Sequence, residues 1–298
     1  MANNAGMSET VKVGLVGAGQ WANMVHAPIF ANHPETELVG VWARRLEAAQ
    51  HLARRSGTAA FASYEELLDQ CEAVAFCVPP NVQAEMALAA AKAGKVLLLE
   101  KPIALELDAA KRLVAAVEDA GVRTVVLLSL RYAQPVKDFL KAAQGIGRPL
   151  GGRVAWVSGA LKEGSPFATP WRLERGPLPD LGPHAIDLVD AALGPVVDVR
   201  ASGDRLGWVS LTLTHQSGAT STVDLCATAG AGGVSTIEVY GETGAASLDA
   251  SKAADATSMM NVPAAVVAAV RGEATDAPDI HRGLHLQKIL ARAEAQLL

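Results

Sequence analysis

The stretch V-K-V-G-L-V-G-A-G-Q-W-A, residues 11–22, decides the fold of this chain. Residues 11–17 form a short apolar run, and a helical stretch is predicted over residues 21–31. Between them lies the pattern GxGxxA, in which Gly17 allows a tight turn and Gly19 lets the backbone approach a pyrophosphate at the helix N-terminus. Ala22 keeps the helix close to the strand. At a strand-to-helix junction this pattern favours a dinucleotide-binding turn over an ordinary glycine-rich turn.

Strand-like and helix-like stretches alternate after this turn, up to about residue 130. Strands are predicted over residues 37–43, 73–78, 95–99 and 124–130, and helices over residues 45–56, 82–93 and 105–120. Such alternation predicts a doubly wound parallel sheet. We therefore expect an α/β Rossmann domain over residues 1–129.

The pattern changes in the second half of the chain. A helix is predicted near residues 135–143, followed by a strand over 153–158, a loop over 163–183 and a helix over 185–193. Several alternating strands with short turns then follow, which indicates a largely antiparallel sheet. We expect a second α/β domain over residues 130–298, whose C-terminal helix could pack back on the first domain.

Composition excludes several classes of protein. The 298 residues carry a net charge of −5 and show none of the basic patches of a nucleic-acid binder. No apolar run reaches the roughly 18 residues of a membrane helix, and the first ten residues do not resemble a signal peptide. Three widely separated cysteines, Cys71, Cys77 and Cys226, suit reduced thiols. We expect a cytoplasmic protein that binds neither nucleic acid nor membrane.

The end of the second predicted strand bears on the choice of dinucleotide. An acidic residue there would bind the ribose 2′-hydroxyl of NAD, but Arg44 and Arg45 stand in its place. A guanidinium group can bind the 2′-phosphate of NADP bidentately. The alternative is that both arginines are solvated residues at a helix start. The sequence favours NADP, and NAD remains open.

A lysine follows the predicted strand over residues 95–99, in the motif Glu100-Lys101-Pro102. Ligands of doubly wound sheets bind at the carboxyl ends of strands. Lys101 can donate a proton or a hydrogen bond to an oxygen whose charge changes during hydride transfer. The alternative is a surface lysine before a proline turn.

A histidine flanked by acids forms a second candidate cluster. His184 is expected to open a helix, with Asp180 in the preceding loop and Asp187 one turn further on, within reach of the ring. Neighbouring carboxylates orient an imidazole and favour its charged form. The alternatives are a helix cap or half of a metal site, and no metal site is predicted because further ligands at useful spacing are missing. His281 and His285 are interpreted as ordinary surface histidines.

Several motifs in this order resemble the Gfo/Idh/MocA family of glucose–fructose oxidoreductases and inositol dehydrogenases. They are the glycine turn, Pro79-Pro80-Asn81, Ala93-Gly94-Lys95 leading into Glu100-Lys101-Pro102, and Asp180-x-x-x-His184-x-x-Asp187. The resemblance implies a Rossmann domain followed by an α/β domain with a large, open, mostly antiparallel sheet. It also implies NAD(P)-linked chemistry on sugars, inositols or related small molecules. Homodimers or homotetramers formed through that sheet are expected.

The resemblance further implies which residues form the site. Lys101 corresponds to the family's catalytic lysine, and Asp180 and His184 correspond to its Asp–His pair. The residues expected to bind the cofactor are Gly17, Gly19, Gln20, Trp21, Ala22, Arg44, Arg45, Pro79, Asn81, Glu100 and Lys101. The residues expected to contact the substrate are Trp156, Phe167, Trp171, Arg172 and Asp187. Gln83 stands where the family often has a histidine.

These observations predict an NAD(P)-dependent dehydrogenase or reductase that acts on the CH–OH group of a sugar, polyol or related carbonyl compound. His184 would remove the hydroxyl proton, Lys101 would stabilise the alkoxide, and Asp180 would orient His184 or bind a neighbouring hydroxyl, with Lys101 and His184 close together beside the nicotinamide. Two other classes stay open: a non-catalytic redox sensor that binds a dinucleotide, and a structural protein with a vestigial Rossmann fold. The presence of all three side chains favours the enzyme.

Overall fold

The computed structural model describes residues 10–230, 233–253 and 258–297. The expectations for residues 1–9, including the missing signal peptide, lie outside this range. The chain forms two compact units. The first comprises Met1–Glu100, Arg112–Leu127 and Met259–Ile280, and the second comprises Lys101–Lys111, Leu128–Ser258 and His281–Leu298. The division at residues 129 and 130 stays a prediction.

Strands and helices alternate along the first part of the chain, and strands dominate the second. In chain order the elements are β1 (Val11–Val16), a π-helical turn (Ala22–His26), α1 (Ala27–Ala31), β2 (Thr36–Trp42), α2 (Leu46–Ser56), β3 (Ala59–Ala60), α3 (Tyr64–Gln70), β4 (Ala73–Phe76), α4 (Pro80–Lys92), β5 (Val96–Leu99), α5 (Leu107–Ala120), β6 (Thr124–Val126), α6 (Gln134–Gln144), β7 (Pro149–Val157), α7 (Pro170–Arg175), α8 (Pro177–Leu193), β8 (Val196–Gly203), β9 (Trp208–His215), β10 (Thr220–Cys226), β11 (Val234–Gly241), β12 (Gly244–Asp249), α9 (Val262–Arg271) and α10 (Ile280–Glu294).

The first unit contains a six-stranded sheet in the order β3-β2-β1-β4-β5-β6. All neighbouring strands pair in parallel. Every residue of β4 is buried, and so are the last three residues of β5. Near-continuous apolar runs of this kind are typical of parallel strands covered on both faces. The strand order is that of a Rossmann sheet, which confirms the predicted fold of this part of the chain.

The elements β3 and α3 are absent from the predicted set. Helix α3 begins with a capping box: the Ser63 hydroxyl accepts a hydrogen bond from the Glu66 amide at 3.2 Å, and the Glu66 carboxylate accepts one from the Ser63 amide at 3.4 Å. The pattern Ser-x-x-Glu at residues 63–66 was therefore a readable signal for this helix start.

The second unit contains a six-stranded mixed sheet in the order β12-β11-β7-β10-β9-β8. Strands β7 and β10 pair in parallel, and the other neighbours pair antiparallel. Helix α8 packs against β7, β9, β10 and β11, and α6 packs against β12. Alternate residues on the strands, such as Thr212 and Thr222, are exposed. This arrangement confirms the predicted open and mostly antiparallel sheet.

The helix that carries the second candidate cluster begins earlier than predicted. The loop expected over residues 163–183 contains α7, and α8 begins at Pro177 rather than at residue 185. Proline is tolerated in the first turn because no amide hydrogen is needed there. The helix continues through Pro183 because 13 of its 17 residues are buried, so that packing outweighs the lost hydrogen bond. Asp180 and His184 therefore lie one turn apart on the same helix.

None of the helices in the described part of the chain combines the length and the hydropathy of a membrane span.

Candidate active site

The glycine turn after β1 has the geometry of a nucleotide-binding turn. Gly17 has a φ of +115°, and a Cβ there would lie 2.2 Å from the Cys77 carbonyl oxygen, so only glycine fits. A Cβ on Gly19 would meet no atom within 4 Å, which leaves open space above the turn. The helical segment that follows presents its N-terminus here, and Ala22 is fully buried beneath it. These features fit a pyrophosphate group.

The other predicted cofactor residues of the first unit lie at strand ends and helix starts. Arg44 and Arg45 are exposed between β2 and α2, at the positions where an acidic residue would bind the ribose of NAD. Pro79 and Asn81 are exposed at the start of α4, directly after β4. Both pairs follow the carboxyl ends of parallel strands, where ligands of this fold bind.

Glu100 is held by three side chains at the end of β5. Its carboxylate oxygen Oε1 accepts hydrogen bonds from Trp21 Nε1 at 2.8 Å and pairs with His26 Nε2 at 2.7 Å. Gln83 Nε2 donates a hydrogen bond to the Glu100 backbone oxygen, and Gln83 Oε1 accepts one from the Glu100 backbone N–H, each at 2.8 Å. The atoms of His26, Cys77 and Glu100 that could ligate a metal ion lie within 4.8 Å of one another. However, Glu100 Oε1 already takes part in two hydrogen bonds. The roles of His26 and Gln83 were not predicted, because their partner lies far away in sequence.

Lys101 and Asp180 are in direct contact within the second unit. Lys101 Nζ lies 3.0 Å from Asp180 Oδ1 and 2.7 Å from the Asp180 backbone oxygen. Arg172 Nε donates to the same Oδ1 at 2.9 Å. Burial alone would raise the pKa of the Asp180 carboxyl, but Lys101 and Arg172 hold it well below its usual range. Asp180 is therefore a carboxylate shared by two cations, and the Lys101–Pro102 peptide bond beside it is cis.

His184 lies one helical turn after Asp180 and stacks on Trp156. The two rings are 5.8 Å apart between centroids, with 24° between their planes. Burial and the charge of Lys101 lower the pKa of His184 to about 3, against the opposing effect of Asp180. Its Nδ1 is buried and has no hydrogen-bond partner among the described residues. At neutral pH the ring is uncharged, not in the charged form that its acidic neighbours were expected to favour.

Asp187 does not contact His184. Its carboxylate accepts hydrogen bonds from Arg131 at 2.6 and 3.0 Å and from Arg282 at 2.7 Å, and its side chain is only 2% exposed. The expectation that Asp187 reaches the imidazole is therefore wrong, because two arginines distant in sequence occupy both oxygens. His285, interpreted as a surface residue, bonds to Asp190 at 2.7 Å and belongs to this buried network.

Of the aromatic residues predicted to contact substrate, Trp156 lies on β7, Phe167 precedes α7 and Trp171 lies on α7. The Arg172 guanidinium stacks over the Trp171 ring at 4.5 Å, and its NH1 donates to Thr169 Oγ1 at 3.1 Å. Phe167 is 41% exposed. Of the predicted substrate residues, Trp156 thus contacts His184 and Arg172 contacts Asp180, while Phe167 lies in the exposed segment before α7.

Comparison with protein families gives two adjacent matches. Residues 11–128 match a family described as "Oxidoreductase family, NAD-binding Rossmann fold", and residues 138–247 match the "GFO/IDH/MocA C-terminal domain". Both belong to the family that the motifs resemble.

Individual proteins agree with these matches. The chain is 34% identical over 145 residues to D-apiose dehydrogenase of Paraburkholderia graminis, covering 45% of this chain and 38% of that protein. It is 32% identical over 144 residues to inositol 2-dehydrogenase of Rubrobacter xylanophilus, covering 48% and 42%. The matches thus span less than half the length of these relatives.

A solved structure shows the same fold over nearly the whole chain. GenD2 from gentamicin A biosynthesis, in complex with NAD, superposes with a TM-score of 0.86 at 22% identity, covering 99% of this chain and 96% of that one. The parallel Rossmann sheet, the mixed second sheet and the two family matches together lead to one assignment. The chain belongs to the Gfo/Idh/MocA family of oxidoreductases.

Proposed function

We propose that the protein is an NAD(P)-dependent dehydrogenase that oxidises a CH–OH group of a sugar, polyol or related small molecule, or reduces the corresponding carbonyl. The observation that carries the proposal is the contact of Lys101 with Asp180, one helical turn from an imidazole that is uncharged at neutral pH. A donor and an acceptor of protons so close together are what alcohol oxidation by hydride transfer needs.

The nicotinamide cofactor would supply the acceptor or donor of the hydride. Gly17, Gly19 and Ala22 would hold its pyrophosphate, together with Gln20 and Trp21 at the start of the helix. The exposed Arg44 and Arg45 favour NADP over NAD, because a guanidinium matches the 2′-phosphate. The remaining cofactor contacts would come from Pro79, Asn81, Glu100 and Lys101.

The protein side chains would carry the proton. In the oxidation direction, His184 Nε2 accepts the proton of the substrate hydroxyl, since the neutral ring has a free lone pair. Lys101 donates a hydrogen bond to the same oxygen as its negative charge develops. Asp180 positions the Lys101 amine by accepting hydrogen bonds with its backbone oxygen and its carboxylate. In the reduction direction the proton returns to the oxygen along the same path.

Relatives favour a carbohydrate substrate. The two proteins named above are dehydrogenases of D-apiose and of inositol, both polyhydroxylated molecules. The side chain of Trp156 beside His184 provides an apolar face of the kind on which sugar rings stack. No disulfide joins the three cysteines, which suits a reducing compartment such as the cytoplasm.

The test combines cofactor binding with turnover. NADPH and NADH are titrated while the fluorescence of the reduced cofactor is followed, and aldoses and polyols are then screened for oxidation with NADP and NAD. We expect tighter binding of the NADP form and turnover of at least one carbohydrate. Failure of both dinucleotides to bind would refute the proposal.

The catalytic role of Lys101 has a matched control on the same segment. Lys101→Ala should lower kcat about 10²- to 10⁴-fold, because a positioned proton-transfer group is lost. Lys111→Ala should leave kcat unchanged, since within the part of the chain that the structure describes Lys111 pairs only with the exposed Asp108. Near-full turnover by Lys101→Ala would remove Lys101 from the mechanism.

A further inference from the structure

The charges around Asp180 do not balance. Two cations, Lys101 and Arg172, contact its carboxylate within 3.0 Å, and they are the charged side chains that lower its pKa. His184 adds no charge at neutral pH. The cluster therefore carries one positive charge more than negative, in a place where every member is at least partly buried.

The network about two to three turns further along α8 is different. There Asp187 and Asp190 face Arg131 and Arg282, so that two carboxylates meet two guanidinium groups, and the His285 imidazole also bonds to Asp190. The surplus of cationic side chains over carboxylates thus distinguishes the Asp180 cluster from this neighbouring network of arginine–aspartate pairs.

Within this cluster, Arg172 has N–H groups that donate no hydrogen bond to the described residues. Of its five N–H groups, Nε bonds to Asp180 and one NH1 hydrogen bonds to Thr169. The other three N–H groups make no hydrogen bond to any residue that the structure describes. The Arg172 side chain is 21% exposed. Stacking on Trp171 and the bond to Asp180 fix the plane of the guanidinium and the direction of its free edge.

Arg175, three residues later on α7, differs from Arg172 because both of its terminal nitrogens pair with carboxylates. Its NH1 donates to Glu294 at 2.8 Å and its NH2 pairs with Glu106, at nearly the same exposure of 22%. Both of its terminal nitrogens are neutralised by carboxylates, whereas the NH2 of Arg172 has no partner among the described residues.

We propose that the substrate is anionic: a sugar or polyol that bears a carboxylate or a phosphate, bound by the free edge of Arg172. The inference rests on the proposed function and names its substrate class. A planar guanidinium with a free edge matches the two oxygens of such a group, and the anion would cancel the surplus charge. Lys101 and His184 then remain available for the hydroxyl that reacts.

The experiment measures equilibrium binding, which needs no turnover. Glucose, glucuronate and glucose 6-phosphate are titrated into the full-length protein with the oxidised cofactor present, by isothermal calorimetry. The wild type should bind at least one anion about 10- to 100-fold more tightly than glucose, the effect of a charge-assisted hydrogen-bonded pair. Preference for glucuronate alone identifies a carboxylate, and preference for glucose 6-phosphate alone identifies a phosphate ester.

Variants separate direct contact from general electrostatics. The preference of anion over glucose should fall to near one in Arg172→Gln and to an intermediate value in Arg172→Lys. Arg175→Gln, which removes the same charge one turn away, should retain it. Because the preference is a ratio within each protein, a general loss of binding at the altered Asp180 cluster cancels. If Arg172→Gln does not fold, the decrease of the wild-type preference with added KCl replaces it.

The outcomes are distinct. Equal affinity of the wild type for glucose and both anions overturns the inference, and so does an unchanged preference in Arg172→Gln. An equal loss in Arg175→Gln overturns the assignment to Arg172. Turnover of neutral sugars without any anion preference would leave the proposed function intact, whereas Arg172-dependent anion binding without turnover of any substrate would count against the proposed function alone.

Discussion

At the scale of single residues, His184 differs most from its behaviour in water. Burial and the nearby Lys101 lower its pKa to about 3, from an ordinary value of about 6.5. The neutral form is thus the one that the fold favours. The contribution of the neutral His184 to the free energy of unfolding is complete above pH about 6.5. It is lost as the pH falls toward 3, because the imidazole of the unfolded chain is protonated first.

An NMR titration of the histidine rings tests this shift. The His184 signals, assigned with His184→Gln, should stay in the neutral form down to pH about 5. In Lys101→Met the midpoint should rise toward the ordinary value, because the charge that disfavours the imidazolium is removed. A wild-type midpoint above 6 would show that the ring is neither desolvated nor influenced by Lys101.

At the scale of elements, α8 and α10 are joined by buried ion pairs. Arg282 on α10 donates to the Asp187 carboxylate at 2.7 Å and to the Asp187 backbone oxygen at 2.9 Å, and it also pairs with Asp190. Asp187 and Asp190 lie one turn apart on α8, the helix that carries Asp180 and His184. This network therefore fixes the position of α8, the helix that carries the candidate residues Asp180 and His184.

Removing Arg282 should destabilise the protein strongly. Arg282→Gln leaves two buried carboxylates with fewer partners, which costs about 3 kcal/mol. Arg292→Gln, also on α10, removes a 49% exposed arginine that pairs with the half-exposed Asp198 and should cost less than about 1 kcal/mol. Urea unfolding followed by circular dichroism measures both, and equal midpoints for the two variants would contradict the role of the network.

At the scale of the whole molecule, the mixed sheet has one face that is open to other molecules. Thr222 lies in the middle of β10, in register with Arg153 on β7 and Thr212 on β9, and all three are exposed. Trp208 and Tyr240, on β9 and β11, are also 47% and 43% exposed. We propose that a second copy of the chain packs on this face to give a homodimer or homotetramer.

Light scattering on a sizing column tests the assembly. The wild type should elute as a dimer or tetramer, and Thr222→Arg should reduce it to a monomer, because a charge without a partner would be buried at the centre of the interface. Gln216→Arg places the same charge in the exposed turn between β9 and β10 and should leave the mass unchanged. A monomeric wild type, or an assembled Thr222→Arg, would rule out this interface.

The sequence by itself determined what depends on neighbours along the chain. Strand and helix periods, the glycine turn at residues 17–22 and the motifs at residues 100–102 and 180–187 are local features. They predicted the Rossmann sheet and the candidate residues Lys101, Asp180 and His184. The capping box of α3 was equally local, so that helix was also predictable.

Only the tertiary structure decided how distant residues meet. Arg131 and Arg282 reach Asp187 from 56 and 95 residues away, and Lys101 reaches Asp180 across 79 residues. No periodicity records such pairs, since they arise from the packing of whole elements. The continuation of α8 through Pro183 and the neutral state of His184 have the same origin: burial in the folded chain outweighs what proline and acidic neighbours favour locally.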